Sequence, residues 1–199
     1  MPDRQKVEAI FTTRFPGASL PQVAAAANAI MALQEDRPTA RRGGPPVATT
    51  RTTIEVATRI DAPLTRVFDR FTDVEHAAEH VSGIATIEHL ADMPFGAGTR
   101  WRERRNFLGA VDSADMEVTA FDRYRGYTIS HFKAGLRIDT AFSFEAVGLG
   151  TLVSIEFSLD GSRVPAALLT PLNWAIAGKV RHVLQNDLSD LKAGLEAGR

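Results

Sequence analysis

Between Ile54 and Ile60 the apolar residues alternate, so that Ile54, Val56 and Ile60 share one face of a strand. The period changes at Asp61-Ala-Pro63, where Asp61 can cap a helix and Pro63 fits its first turn. Leu64, Val67, Phe68 and Phe71 then keep helical spacing. Thr72-Asp-Val-Glu75 has capping-box spacing and opens a second short helix through His80. Alternation returns over residues 84–90, 98–107, 113–121, 125–132, 136–145 and 150–159, making seven strands with the first. From Val164 the period is helical again. Leu168, Leu172, Ile176, Val180, Val183, Leu184, Leu188, Leu191 and Leu195 trace one stripe, interrupted by Pro171 and Gly178, near either of which a bend or break is expected. This order predicts an α+β fold, a curved antiparallel sheet wrapped around a long C-terminal helix, with two short helices after the first strand. A sheet curled around one helix rarely closes, and the gap is a natural cavity for a small molecule.

Five segments carry a resemblance. They are Ile54–Val67, the turn Gly96-Ala-Gly-Thr-Arg-Trp101, the run Glu117-Val-Thr-Ala-Phe121, the hairpin Phe142–Thr151 and the closing Asp187–Glu196. Together, and in this order, they resemble the polyketide cyclase/dehydrase branch of the START-like (SRPBCC) superfamily over residues 52–197. The resemblance implies a helix-grip fold that holds apolar ligands. It implies no single reaction, because the superfamily includes cyclases, dehydratases, lipid carriers and proteins with no assigned ligand.

The chain divides into an N-terminal helical hairpin (1–36), a linker (37–50) and a START-like domain (51–199). In the hairpin, Val7, Ile10, Phe11 and Phe15 form one stripe, and Leu20, Val23, Ala27, Ile30 and Met31 a second. Two short helices cannot bury both stripes alone, so residues 3–34 are expected to dock on the main domain, on a second copy in a homodimer, or on another partner. The linker holds Arg41-Arg42, Gly43-Gly44 and Pro45-Pro46 and reaches ~20 Å if flexible. Residues 1–52 carry seven basic and four acidic side chains and the remainder 16 and 20, balances of +3 and −4 that favour no nucleic acid. There is no cysteine, which excludes thiol catalysis and fits a reducing compartment. The charged start is no secretory signal, and the longest weakly polar run, Val23 to Leu33, is too short to span a bilayer. A cytoplasmic location is the expectation.

Alternation also predicts the inner face. Ile138, Thr140, Phe142 and Phe144 share one face, as do Val153, Ile155 and Phe157. Tyr127, Ile129 and His131 follow suit, with Met116 and Val118, and with Trp101, Glu103 and Arg105. Leu172 and Ile176 of the closing helix complete an apolar, aromatic lining with a sparse polar set, which suits an apolar ligand carrying a few oxygens. Burying ~300 Å² of such a ligand is worth about 7 kcal/mol before association costs. An unpaired buried charge would cancel most of that, so Glu103 and Arg105 must be paired, near the mouth, or turned outward. His131 is either a hydrogen-bonded core histidine or a group that exchanges protons, since neutral imidazole tolerates burial. Tyr127 is either packing or an acid. Arg100, Arg102 and Arg104 alternate onto the outer face, where carboxylates on neighbouring strands can pair with them.

His76 and His80 stand at i and i+4, but no third metal ligand accompanies them. Gly96-Ala-Gly98 lacks the third glycine and the helix of a dinucleotide loop, and no Gly-x-Ser-x-Gly elbow occurs. No cofactor or metal is therefore expected. Two functions stay open: binding or transport of an apolar small molecule of lipid, polyketide or isoprenoid type, and a polyketide cyclase, aromatase or dehydratase that uses His131 and Tyr127 in the same cavity.

Overall fold

The computed structural model describes residues 51–107, 110–133, 136–160 and 166–197, the side chains of 51, 107, 110 and 166–176 excepted. The expected hairpin and linker lie outside these residues. The elements are β1 (Arg51–Ile60), α1 (Leu64–Thr72), α2 (Ala77–His80), β2 (Ile84–His89), β3 (Arg100–Phe107), β4 (Ala110–Asp122), β5 (Gly126–Lys133), β6 (Leu136–Val147), β7 (Gly150–Asp160) and α3 (Ala166–Glu196). One antiparallel sheet holds all seven strands in the order β1-β7-β6-β5-β4-β3-β2. The first two strands in sequence are thus the two edges, and α1 and α2 carry the chain between them. This is the helix-grip α+β fold that the order of elements predicts.

Local chemistry differs from expectation at the helix starts. Pro63, not Asp61, is the N-cap of α1, and no side chain caps it. The Asp61 amide instead donates to Glu196 Oε1 at 2.8 Å, tying the start of α1 to the end of α3. The Thr72 capping box does not form. Thr72 is the last residue of α1, so its hydroxyl reaches back to the carbonyls of Phe68 (3.0 Å) and Asp69 (3.3 Å). Asp73 takes over the turn, accepting from the His76 amide at 3.4 Å, and α2 is a single turn from Ala77. Nor does α3 break at Pro171 or Gly178. It runs as one helix of 31 residues, and burial of Val180, Leu184, Leu188 and Leu195 outweighs the roughly 1 kcal/mol that interior Gly178 costs.

The face of α1 carrying Val67, Phe68 and Phe71 is buried against the concave side of the sheet. Phe68 lies 5.1–6.3 Å from the rings of Tyr124, Phe144, Phe121 and Tyr127, mostly edge to face. Phe121 joins this cluster because a bulge between Val118 and Ala120 resets the alternation of β4 and aligns it with Tyr127. Gly126 opens β5 there, and a Cβ on it would sit 2.3 Å from the Phe142 carbonyl oxygen. The Gly96-Ala-Gly98 turn leads into β3, with Gly98 at φ +90 and its amide donating to the Val118 carbonyl at 2.8 Å.

On the other flank, α3 is fastened along β1. Arg181 Nη1 donates to the Glu55 carbonyl at 2.6 Å, and Lys192 Nζ donates to the Arg59 carbonyl at 2.5 Å and to Glu196 Oε1 at 2.9 Å. Four strand residues cover ~13 Å and eleven helix residues ~16 Å, so two long cations reach both carbonyls without distorting either element.

The packing makes a specific claim. Phe68→Ala should destabilise the chain by about 3–5 kcal/mol in urea unfolding. Leu149→Ala, in a turn where Leu149 is 92% exposed, should stay within about 0.5 kcal/mol. Equal effects would mean that the aromatic cluster is not the core.

Candidate ligand-binding interior

The inner face has two zones. In one zone Val118, Tyr127, Phe144, Val153 and Ile155 are buried, with Tyr127 and Phe144 against Phe68 and Phe71 of α1. One to three rungs further along the same strands, Met116, Ile129, Ile138, Thr140 and Phe157 point the same way but are only half-buried. The register makes these neighbours: Ile129 opposes Thr140, Thr140 opposes Phe157, and His131 opposes Ile138. Phe142 lies between the zones, half-buried, with its ring stacked 4.6 Å from that of Tyr127. Leu172 and Ile176 belong to the stretch of α3 whose side chains are not described.

Tyr127 is held by the packed zone. Its hydroxyl donates to the Phe71 carbonyl at 2.9 Å, and burial pushes its pKa well above that of a free phenol. That proton already serves the joint between α1 and the sheet. His131 has a different setting. It is half-buried, and β5 pairs with β6 without a register shift from Gly126 to Lys133, so His131 keeps the inward phase of Tyr127 and Ile129. Burial lowers its pKa and Lys133 lowers it further, against smaller opposing effects of Asp112 and Asp139. The neutral form of the imidazole is therefore favoured over the charged one. Beside it, Lys133 is ion-paired with Asp112.

The ladder between β4 and β5 ends at Glu117 opposite Ser130, although β4 starts at Ala110 and β5 runs on to Lys133. A groove of about 580 Å³ lies on the sheet at this point, with Arg102, Asp115, Thr119, Ser130, His131 and Arg137 among its lining. Its outer-face charges are paired: Arg102 with Asp115 (2.7 Å), Arg100 with Glu117 (3.7 Å) and Arg137 with Asp139 (2.9 Å). His131 is thus also among the residues that line this groove, beside outer-face neighbours such as Ser130 and Arg137.

Glu103 and Arg105 do face inward, and they are paired. Glu103 is 7% exposed and Oε1 lies 3.6 Å from Arg105 Nη1. Arg105 Nη2 bridges to Asp187 Oδ2 of α3 at 2.7 Å. Gly83 makes the bridge possible, since a Cβ there would lie 2.9 Å from Arg105 Nη2 and 3.3 Å from Asp187 Oδ1. Burial raises the pKa of Glu103, and Arg105 and the indole N–H of Trp101 offset only part of this. Burial raises Asp187 as well, with Arg105 pulling it back. Burial works against the Arg105 charge, but the two carboxylates outweigh it and its pKa is raised. Trp101 Nε1, Glu103 Oε1 and Arg105 Nε are buried with no hydrogen-bond partner in the protein, so the indole N–H lies near the carboxyl without bonding to it. Such groups cost ~1–3 kcal/mol each when nothing pairs with them. Asp187 was legible as an anomaly: it stands three residues after Leu184 and four before Leu191, inside the apolar stripe.

Away from the interior, His76 Nδ1 lies 2.8 Å from Asp73 Oδ1 on the exposed side of α2, and the Asp73 hydrogen bond raises its pKa. No described helix is long and apolar enough to cross a membrane.

Comparisons with known proteins agree with this geometry. No curated protein matches the chain. Among solved structures, the Zhui aromatase/cyclase from Streptomyces sp. R1128 superposes with a TM-score of 0.61 at 15% identity, over 74% of this chain and 94% of that one. A START superfamily protein from Mycobacterium smegmatis gives 0.61 at 12% identity over 74% and 99%. The major latex-like protein 151 of Panax ginseng gives 0.59 at 13% over 73% and 97%. At these identities the likeness concerns the fold alone. The family model described as polyketide cyclase/dehydrase and lipid transport matches residues 51–196, nearly the whole described fold, and the chain belongs to that family.

Proposed function

We propose that the chain binds an apolar small molecule of lipid, polyketide or isoprenoid type between the half-buried zone of the sheet and α3. One observation carries this reading. Met116, Ile129, Ile138, Thr140 and Phe157 face inward yet stay half-buried, while the same strands bury Val118, Tyr127, Phe144, Val153 and Ile155. An inner face that is apolar and incompletely covered suits an apolar ligand, for which the covered area is worth ~25 cal/mol per Å². Membership of a family of cyclases, dehydrases and lipid carriers supports the same class of ligand.

A second reading, catalysis of the cyclase, aromatase or dehydratase kind, rests on His131. It is half-buried, on the rung of Ile138, in a setting that favours the neutral imidazole, which can take a proton from a carbon next to a ketone or return one. Tyr127 serves this reading less, because its proton is committed to the Phe71 carbonyl.

N-phenyl-1-naphthylamine, an uncharged dye that fluoresces in apolar surroundings, should bind near stoichiometrically. Phe157→Ala should weaken it by roughly 5–30-fold, the equivalent of about 1–2 kcal/mol of lost contact, whereas Leu149→Ala should not. Fluorescence that never rises above background would overturn the binding reading.

His131→Gln separates carrier from enzyme. Turnover of a poly-ketone substrate should fall by roughly 10²–10⁴-fold in an enzyme, with dye affinity kept. In a carrier only affinity moves, by no more than ~1 kcal/mol. A loss of thermal stability with both ligand readouts unchanged would make His131 a structural residue.

A further inference from the structure

The buried polar edge of the interior gives the ligand a chemical signature. Trp101, Glu103 and Arg105 stand at alternate positions of β3, so their side chains follow one another along its inner face. Trp101 opposes Met116 of the half-buried zone, and Glu103 opposes Ala114. Each of the three has one buried polar atom without a hydrogen-bond partner in the protein: two N–H donors, Trp101 Nε1 and Arg105 Nε, and one acceptor, Glu103 Oε1, whose ion-pair contact with Arg105 Nη1 at 3.6 Å is too long for a hydrogen bond. The Arg105–Asp187 bridge engages Nη2 and leaves Nε for another bond. Buried polar atoms in folded proteins are almost always satisfied, so three neighbours left open call for a group that both gives and accepts hydrogen bonds.

We propose that Trp101, Glu103 and Arg105 form a polar clamp that selects apolar ligands bearing a hydroxyl, of phenol, enol or alcohol type. The hydroxyl proton is donated to Glu103 Oε1, and its oxygen accepts from Trp101 Nε1 or Arg105 Nε. A ketone or ether supplies the acceptor but leaves Glu103 Oε1 without a hydrogen bond, and a hydrocarbon leaves all three without one. Small Ala114 on the neighbouring rung of β4 adds little bulk beside Glu103. The clamp rests on the binding reading above and adds a specificity to it.

The experiment compares two probes of nearly equal size, 1-naphthol and 1-methoxynaphthalene, by displacement of N-phenyl-1-naphthylamine at pH 6.5. The naphthol should bind roughly tenfold tighter or more, because the ether cannot pair with Glu103. Glu103→Leu should compress that ratio to about threefold or less without weakening the ether, and Glu103→Gln, which still donates and accepts, should keep most of it. Trp101→Phe deletes only the indole donor and should weaken the naphthol alone, which keeps the test decisive if Glu103→Leu does not fold. Equal affinity for both probes in the unaltered chain, or a ratio that survives both Glu103→Leu and Trp101→Phe, overturns the clamp. So does a dye that binds but yields to neither probe, and in that case the binding reading stands. A dye that does not bind at all overturns the binding reading, and the clamp with it.

Discussion

The bond from the Tyr127 hydroxyl to the Phe71 carbonyl is the joint on which the rest of the architecture turns. It joins the last full turn of α1 to the middle of the sheet, inside a cluster where Phe68 and Phe71 meet Tyr127, Phe142 and Phe144. A phenol buried this deeply needs a partner, and a helix C-terminus has carbonyls to spare. With α1 fixed there, one end of the concave face is sealed by aromatic rings. Further along the same strands the inward residues remain half-buried. Division of one inner surface into a sealed and an open zone follows from the shortness of α1, nine residues placed off centre.

A second constraint is electrostatic. Asp187 interrupts the apolar stripe of α3, and Arg105 interrupts the inner face of β3; each would be intolerable alone. Together they tie helix to sheet at 2.7 Å, with Gly83 vacating the space they need. Glu103 then becomes the surplus carboxyl of a buried trio, and burial raises its pKa. The interior therefore acquires a polar edge without acquiring an exposed one.

Periodicity made most of the sheet legible. Strict alternation in β5, β6 and β7 placed Tyr127, Phe144, Val153 and Ile155 on the buried side, and these strands pair with no register shift. It was silent where pairing is irregular. The bulge at Val118 to Ala120 turns Phe121 inward, and no residue-by-residue count announces it. Capping motifs misled at Asp61 and Thr72: α1 starts after Pro63, leaving the Asp61 carboxylate 3.6 Å from Arg59 Nη2, and the Thr72 hydroxyl bonds to its own helix's carbonyls. The early end of the β4–β5 ladder beside His131 also has no local signature, since it depends on how three strands twist together.

The bonds from Arg181 and Lys192 to the Glu55 and Arg59 carbonyls bear on more than helix docking. β1 is an edge of the sheet, and its outward carbonyls form half of a template on which a foreign strand could assemble. Two of these acceptors are occupied by positive charges from α3, so an incoming strand would have to displace the cations as well as match the register. Long cationic side chains laid along a sheet margin thus protect it against runaway strand addition, and they do so while fastening the helix that closes the fold.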